Sequence, residues 1–264
     1  SASDWEAKWI SGGCRVNSRR RYPVDCFRRR FTVGDIKRAR LYITACGLYE
    51  ARINGRRAGD FVLAPGITDY RKRVQYQCCD VAALLREGEN ELTVQLADGW
   101  YRGSCGAWGL RNQYGAETKL LARLELTGAD GFVHSVVSSA DWDWSNDGPI
   151  RFADNQDGEI VDARMSPSYS GRARVTKHPV VPTASDNVPV TEHERFSPSL
   201  ITTPSGKKVL DFGQNIAGYV RFSLDAEAGQ VIKLRFGELL GKDGEFTQSN
   251  IQCATKKRAT PLQQ

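Results

Sequence analysis

Arg40-Leu41-Tyr42-Ile43-Thr44 and Glu91-Leu92-Thr93-Val94-Gln95-Leu96 decide the fold. In the first, Leu41 and Ile43 are the apolar positions; in the second, Leu92, Val94 and Leu96 alternate with Glu91, Thr93 and Gln95. Successive side chains of a strand point to opposite faces, so a period of two marks strands with one buried face. Strand-like runs of this kind recur at Cys26–Val33, Arg38–Ala45, Leu48–Asn54, Glu91–Ala97, Lys119–Thr127, Phe132–Val137, Val209–Phe212, Gly218–Leu224 and Gln230–Phe236. Turn pairs separate them at Asn54-Gly55, Pro65-Gly66, Asp98-Gly99, Asp130-Gly131, Asp157-Gly158 and Asp243-Gly244. Asn-Gly between two strand patterns reads as a tight hairpin, because both residues tolerate positive φ. One helix is expected, Val81–Arg86, with Asp80 as N-cap and Gly88 as stop. The pattern predicts an all-β chain, an antiparallel β-sandwich or jelly roll.

The 264 residues suit one large or two small domains. Ser166-Pro167-Ser168 followed by Pro179, Pro182 and Pro189 reads as an extended connector, which divides the chain into a sandwich over residues 1–170 and a linker with a second β domain over 171–264. A sandwich of about seven strands needs roughly 100 residues. The second pattern, starting near Val209, therefore reads as a truncated β-sandwich that ends in the polar tail Lys256–Gln264.

With 40% hydrophobic and 26% charged residues, the chain is a folded globular one rather than a disordered one. No apolar run approaches the ~18–20 residues of a membrane span. The opening Ser1-Ala2-Ser3-Asp4 has no basic-then-apolar signal segment, although a trimmed precursor would read the same; cytoplasmic, periplasmic and secreted locations all stay open. Seven cysteines, with Cys78 and Cys79 adjacent and no C-x-x-C, make a poor disulfide framework and read as small buried side chains.

The net charge of +6 hides a split: residues 1–75 carry 17 basic and 7 acidic groups, the remainder 20 and 24. Arg19-Arg20-Arg21 and Arg28-Arg29-Arg30 raise the possibility of a nucleic-acid binder. The second cluster lies in a strand, so Arg29 faces away from Arg28 and Arg30, and a solvated β face, with an acidic neighbouring domain to meet it, is the favoured reading.

Chemical motifs are scarce. His134, His178 and His193 match no metal spacing, and there is neither a nucleophile elbow nor a dinucleotide loop. Gly237-Glu238-Leu239-Leu240-Gly241-Lys242 is one residue short of a phosphate loop and reads as a turn. The densest polar stretch holds Asp141, Asp143, Asp147, Asp154, Asp157, Glu159 and Asp162 against the single base Arg151. So many carboxylates repel unless spread out or neutralised by a cation, and hard oxygen ligands suit calcium. Asp154-Asn155 in the turn Asp154–Glu159 is the candidate for a non-helical cation or sugar site, against the alternative of an acidic surface turn. Trp100 and Tyr101, with Trp108 and Tyr114 in the loop after them, are candidates for stacking on sugar rings, against the alternative that Trp100 closes the core.

Several blocks carry a family resemblance. Asp4-Trp5 with Trp9-Ile10, Ala39-Arg40-Leu41-Tyr42, Gly47-Leu48-Tyr49-Glu50, Ile53-Asn54-Gly55, Leu63-Ala64-Pro65-Gly66-Ile67-Thr68-Asp69-Tyr70, Gly88-Glu89-Asn90-Glu91-Leu92, Asp98-Gly99-Trp100-Tyr101-Arg102-Gly103 and Asp157-Gly158-Glu159 resemble the N-terminal β domain of bacterial α-L-rhamnosidases of glycoside hydrolase family 78. Asp211-Phe212-Gly213-Gln214-Asn215 resembles the start of the concanavalin-like domain that follows it. The resemblance implies an inverting hydrolase of terminal α-L-rhamnose whose acid and base lie in an (α/α)6 barrel on a longer chain, with no catalytic residue here. It also implies that a related rhamnose-binding module's calcium-ligating Asp-Asn pair maps onto Asp154-Asn155, with no other cofactor required. The implied partners are an L-rhamnose-containing glycoside and the missing catalytic barrel, with neither nucleic acid nor membrane. A stand-alone carbohydrate-binding protein remains the alternative, and a basic nucleic-acid binder a third.

Overall fold

The computed structural model describes residues 5–17, 19–105, 110–186, 188–227 and 229–251; Asp4, Trp108, Cys253 and the tail Lys256–Gln264 lie outside them. The chain divides into two compact units, residues 1–192 and 193–264. The first contains β1 (Ile10–Ser11), β2 (Asp25–Val33), β3 (Ile36–Cys46), β4 (Leu48–Ile53), β5 (Arg56–Arg57), β6 (Gln75–Asp80) and β7 (Gly88–Ala97). A single helical turn, α1 (Gly99–Arg102), follows directly. Then come β8 (Lys119–Gly128), β9 (Val133–Val137), β10 (Asp143–Ser145), β11 (Ile150–Asp154), β12 (Gly158–Val161), β13 (Gly171–Arg172), β14 (Arg174–Val175) and β15 (Thr183–Ala184).

Two sheets form the sandwich. One runs β14-β1-β8-β3-β6-β15, with β9 also paired to β8; the other runs β13-β10-β2-β7-β4-β5. The alternation read from sequence sets the faces. Leu41 and Ile43 of β3 meet Leu92, Val94 and Leu96 of β7 in one core, joined by Phe27, Ile53, Leu120 and Leu124. The Asn54-Gly55 turn between β4 and β5 takes φ of 52° and 79°, as a tight hairpin requires. Asn54 also donates to Asn90 Oδ1 at 2.8 Å and to the Leu84 carbonyl at 3.0 Å, tying the hairpin to the entry of β7.

The sheet containing β3 and β8 is covered on its outer face as well. Trp5, Trp9, Cys46, Tyr70, Val74, Tyr101 and Leu121 make a second buried cluster. Its rings meet mostly edge to face, Tyr70 with Tyr101 at 5.3 Å and Trp5 with Tyr76 at 5.1 Å, the arrangement favoured by the aromatic quadrupole.

Three expectations change. Val81–Arg86 shrinks to a 3-10 turn at Ala82–Leu84, because Asp80 belongs to β6 and three residues cannot nucleate an α-helix, although Asp80 Oδ1 still accepts the Ala82 N–H at 3.0 Å. The stretch after residue 170 is not a free connector: β13, β14 and β15 add edge pairs to both sheets, so the first unit extends to Glu192. Proline removes a donor only at its own position, and the residues between prolines keep theirs. Of the six described cysteines, Cys26 and Cys46 are buried, with thiols pushed up to about 12 by burial; Cys78 is exposed, and Cys14, Cys79 and Cys105 are half-buried.

In the second unit, β16 (Ser199–Thr202) pairs with β17 (Lys208–Asp211), and Leu240 bridges Phe246. The segments Gly218–Leu224 and Gln230–Phe236 carry no ladder among the described residues. Tyr219, Phe222, Leu224, Val231 and Ile232 are all exposed. The phosphate-loop look-alike is a turn, closed by Gly241 N–H to the Glu245 carbonyl at 2.8 Å.

Leu124 is fully buried where the two sheets meet. Leu124→Ala is expected to lower unfolding free energy by about 2–5 kcal/mol, read by urea denaturation; a loss below about 1 kcal/mol contradicts the packing described.

Candidate functional site

The polar centre of the first unit forms where β7 ends. Asp98 closes the strand and α1 begins at once. Four residues on, Arg102 returns its guanidinium to Asp98 Oδ1 at 2.8 Å, the spacing that places two helical side chains on one face. Gly103 follows because nothing larger fits: a Cβ there would lie 2.3 Å from the Gly99 carbonyl oxygen and 2.6 Å from Asp154 Oδ2.

The hairpin β11–β12 faces this turn as a separate two-stranded sheet. Asp154, at the end of β11, has a side chain that is 0% exposed. Its Oδ1 accepts the N–H groups of Gln156 at 2.8 Å and Asp157 at 3.0 Å. Its Oδ2 accepts the Ser104 N–H and Arg111 Nη1, each at 2.7 Å. Arg111 also reaches Asp98 Oδ2 through Nη2 at 2.5 Å and Asp157 Oδ2 at 3.5 Å. Arg21 binds Asp157 at 2.7 Å and lies 4.7 Å from the centre of the buried Phe152 ring. Three aspartates and three arginines therefore close on one another, with no net charge.

Asp154 and Asn155 do not fit a calcium ion in this arrangement. A carboxylate offers about four acceptor directions, and all four on Asp154 already receive an N–H. Asn155 is exposed in the turn. Among the described residues, no group of three or more His, Cys, Asp or Glu side chains is arranged to hold a metal. Trp100 and Tyr101 both lie on α1: Tyr101 is buried in the outer aromatic cluster and Trp100 packs partly buried against it. Tyr101 also borders a shallow cleft of about 420 Å³, lined by Val16, Gly115, Ala116, Glu117 and Lys119. Glu117 accepts the Ser11 hydroxyl at 2.7 Å and pairs with Arg174; Lys119 Nζ donates to the Lys177 carbonyl at 2.6 Å. Trp108 lies outside the described residues.

The rest of the acidic stretch meets the basic N-terminal third and nearby donors. Arg28 binds Asp143 at 2.9 Å and lies 4.2 Å from the Tyr169 ring; Arg172 binds the other oxygen of Asp143 at 2.7 Å. Arg30 pairs with Glu91, and Arg29 donates to the Asp141 carbonyl. Asp147 is held down to about 2 by the Ser145 hydroxyl and the Ser168 N–H, and Asp162 to about 2 by Arg164. The acidic neighbour of the arginine clusters is thus part of the same unit.

Sequence reasoning missed Asp98, Arg102, Arg111 and Ser104 as members of the site. Asp98 and Arg102 carried a readable i,i+4 signal. Arg111 carried none, standing 43 residues from Asp154.

Asp25 of β2 is buried as well. Its Oδ2 accepts the Thr118 hydroxyl at 2.7 Å and its Oδ1 the Trp144 indole N–H at 2.9 Å. Burial raises its pKa, against the lowering influence of nearby Arg102 and these two hydrogen bonds.

Comparison with known proteins follows the same division of the chain. The α-L-rhamnosidase N-terminal domain family matches residues 34–201, and the bacterial α-L-rhamnosidase concanavalin-like domain matches residues 201–260. An α-L-rhamnosidase of Streptomyces avermitilis is 42% identical over 232 residues, which are 83% of this chain and 22% of that protein. One from Formosa agariphila is 32% identical over 277 aligned positions, covering 96% and 29%. Among solved structures, the Streptomyces avermitilis α-L-rhamnosidase complexed with L-rhamnose matches with a TM-score of 0.81 at 39% identity, covering 88% of this chain and 24% of that one. Native α-L-rhamnosidase from Aspergillus terreus matches with a TM-score of 0.77 at 36% identity, covering 82% and 27%. The chain spans about a quarter of the length of these relatives.

A carboxyl with a raised folded-state pKa binds its proton more tightly when folded. The stability this gives is fully present below the unfolded value, about 3.9, and is lost as pH rises through the folded value. Asp25→Asn keeps an acceptor for Trp144 and removes the charge. Its unfolding midpoint in urea, compared at about pH 4 and about pH 8, is expected to fall less with rising pH than the parent's; an equal fall contradicts the assignment.

Proposed function

The chain belongs to the bacterial α-L-rhamnosidase family, as its N-terminal β domain and the start of its concanavalin-like domain, and on that premise we propose that it is a non-catalytic part of a larger glycoside hydrolase. The whole enzyme removes terminal α-L-rhamnose from glycosides with inversion, and these β domains support the (α/α)6 barrel that carries the acid and base. The observation that carries this reading is the condition of the carboxylates. An inverting glycosidase needs two carboxyl groups about 6.5–9.5 Å apart with room for a water between them. Asp98 and Asp154, the most deeply buried of the acidic centre, are instead bridged by the guanidinium of Arg111. A carboxylate bound in this way neither protonates a leaving group nor activates water.

A second reading, carbohydrate binding, is favoured by the cleft beside Tyr101. There an aromatic edge, a carboxylate and an ammonium border one concavity, the combination that recognises a polyhydroxylated ring. Glu117 and Lys119 belong to it, rather than Asp154 and Asn155.

Two measurements test these readings. The purified chain is expected to release no aryl alcohol from an aryl α-L-rhamnoside; turnover above a buffer blank that survives repurification overturns the non-catalytic assignment. Calorimetric titration with L-rhamnose is expected to give binding that persists in chelator and weakens at least tenfold in Lys119→Met. No heat at millimolar sugar, or full binding by the variant, rejects the cleft.

A further inference from the structure

The structure assigns the cation position of the acidic centre to an internal guanidinium: we propose that Arg111 acts as the built-in counter-ion of Asp98, Asp154 and Asp157, docks the hairpin β11–β12 onto the sandwich, and makes this centre independent of any metal. The inference stands apart from the rhamnosidase reading, since it concerns only how this chain balances its own charges.

Charge balance comes first. Asp98, Asp154 and Asp157 face Arg21, Arg102 and Arg111, and the two most buried carboxylates are 3% and 0% exposed. Without Arg111 the group carries one uncompensated negative charge in a place water barely reaches, a costly condition at low effective dielectric. A bound divalent ion is the usual remedy, but calcium takes six to eight oxygens. Here the Asp154 oxygens are filled by N–H donors, and one oxygen of Asp98 is held by Arg102.

Geometry comes second. A guanidinium presents donors in a planar fork, so one group can serve acceptors on two sides, which a point charge cannot do with the same direction. Nη2 of Arg111 points to Asp98 at the foot of α1, and Nη1 to Asp154 and Asp157 on the hairpin. The side chain thus joins two pieces of chain that share no sheet.

Other polar contacts help hold the hairpin: Arg21 binds Asp157 at 2.7 Å, the Ser104 N–H donates to Asp154 at 2.7 Å and the Ser104 hydroxyl to Asp157 at 3.2 Å. The hairpin's buried aromatic, Phe152, belongs to neither apolar cluster and lies instead against Arg21 and Arg111, at 4.7 and 5.6 Å. Ile160 and Val161 of β12 are exposed. Among the described residues, the backbone adds the bond from Val24 N–H to the Ile150 carbonyl at 3.1 Å. Docking thus combines these polar contacts with burial of the Phe152 ring, which the two guanidinium groups flank.

Scanning calorimetry with hydrogen exchange tests the proposal on the intact chain. Millimolar calcium or excess chelator is expected to leave the parent Tm unmoved within about 1 °C. Arg111→Met is expected to lower Tm on the order of 10 °C, and to speed exchange of the Ser104, Gln156 and Asp157 amides more than that of amides in β3 and β8. Arg111→Met with Asp157→Asn restores neutrality, and is expected to lose clearly less than the sum of the two single changes. Arg111→Lys, which keeps the charge, is expected to lie between parent and Met, and remains informative if the Met variant does not fold. A calcium-dependent rise in parent Tm, additive losses in the double variant, or equal losses for Lys and Met each overturn the proposal.

Discussion

The pair β3–β8 must be covered on both faces, and most of the first unit is arranged by that requirement. The inner face meets β7, β2 and β4 through Leu41, Ile43, Leu120 and Leu124. The outer face, which carries Leu121 and Tyr42, would be a large apolar surface in water if left bare. Trp5 and Trp9 from the chain start, Tyr70 from the loop before β6, and Tyr101 from α1 close it. Placing Tyr101 there fixes the single turn of α1 against the sheet, and with it Asp98 and Arg102 on either side of Tyr101 in sequence. The ionic centre is therefore built on a turn whose position is set by aromatic packing.

This order of causes explains the charge distribution. The basic first third and the acidic stretch at residues 141–162 are distant in sequence and adjacent in space: Arg28 meets Asp143, and Arg21 meets Asp157. The Arg28–Asp143 pair is half-buried and the Arg21–Asp157 pair more open; fully exposed pairs are worth little each, about 0–1 kcal/mol. Pairs across the two stretches remove the repulsion that seven nearby carboxylates would otherwise produce, and they occupy arginines that read in isolation as an anion-binding stripe. Only the pairs around Asp98 and Asp154 are buried enough for loss of one partner to matter strongly.

Much of the sandwich was legible because period-two alternation is a local property. Leu92, Val94 and Leu96 announce a buried face without knowledge of what they face, and Asn54-Gly55 announces its own turn. Three kinds of feature were not. A short pattern such as Val81–Arg86 reads as a helix until its flanks are claimed by strands. Edge strands as brief as Arg174–Val175 have no period to read, so the segment beyond residue 170 looked like a linker. The role of Arg111 depends on Asp154 lying against it after folding, and no local rule predicts a contact across 43 positions. Asp154 stands in the acidic turn that the sequence marks out, and in the structure its oxygens are filled by N–H donors. In the second unit, Gly218–Leu224 and Gln230–Phe236 have strand-like composition without ladder partners among the described residues.

Asp98 and Asp154, buried acids of this β portion, are bound by guanidinium and N–H donors. The occupant proposed for the acidic centre is an arginine, not a metal. A crystal structure of the chain grown in about 10 mM calcium tests that claim most directly. The expected result is the Arg111 guanidinium in density between Asp98 and Asp154, with no cation beside either carboxylate. A calcium ion coordinated by Asp154, with Arg111 turned out to solvent, would contradict it.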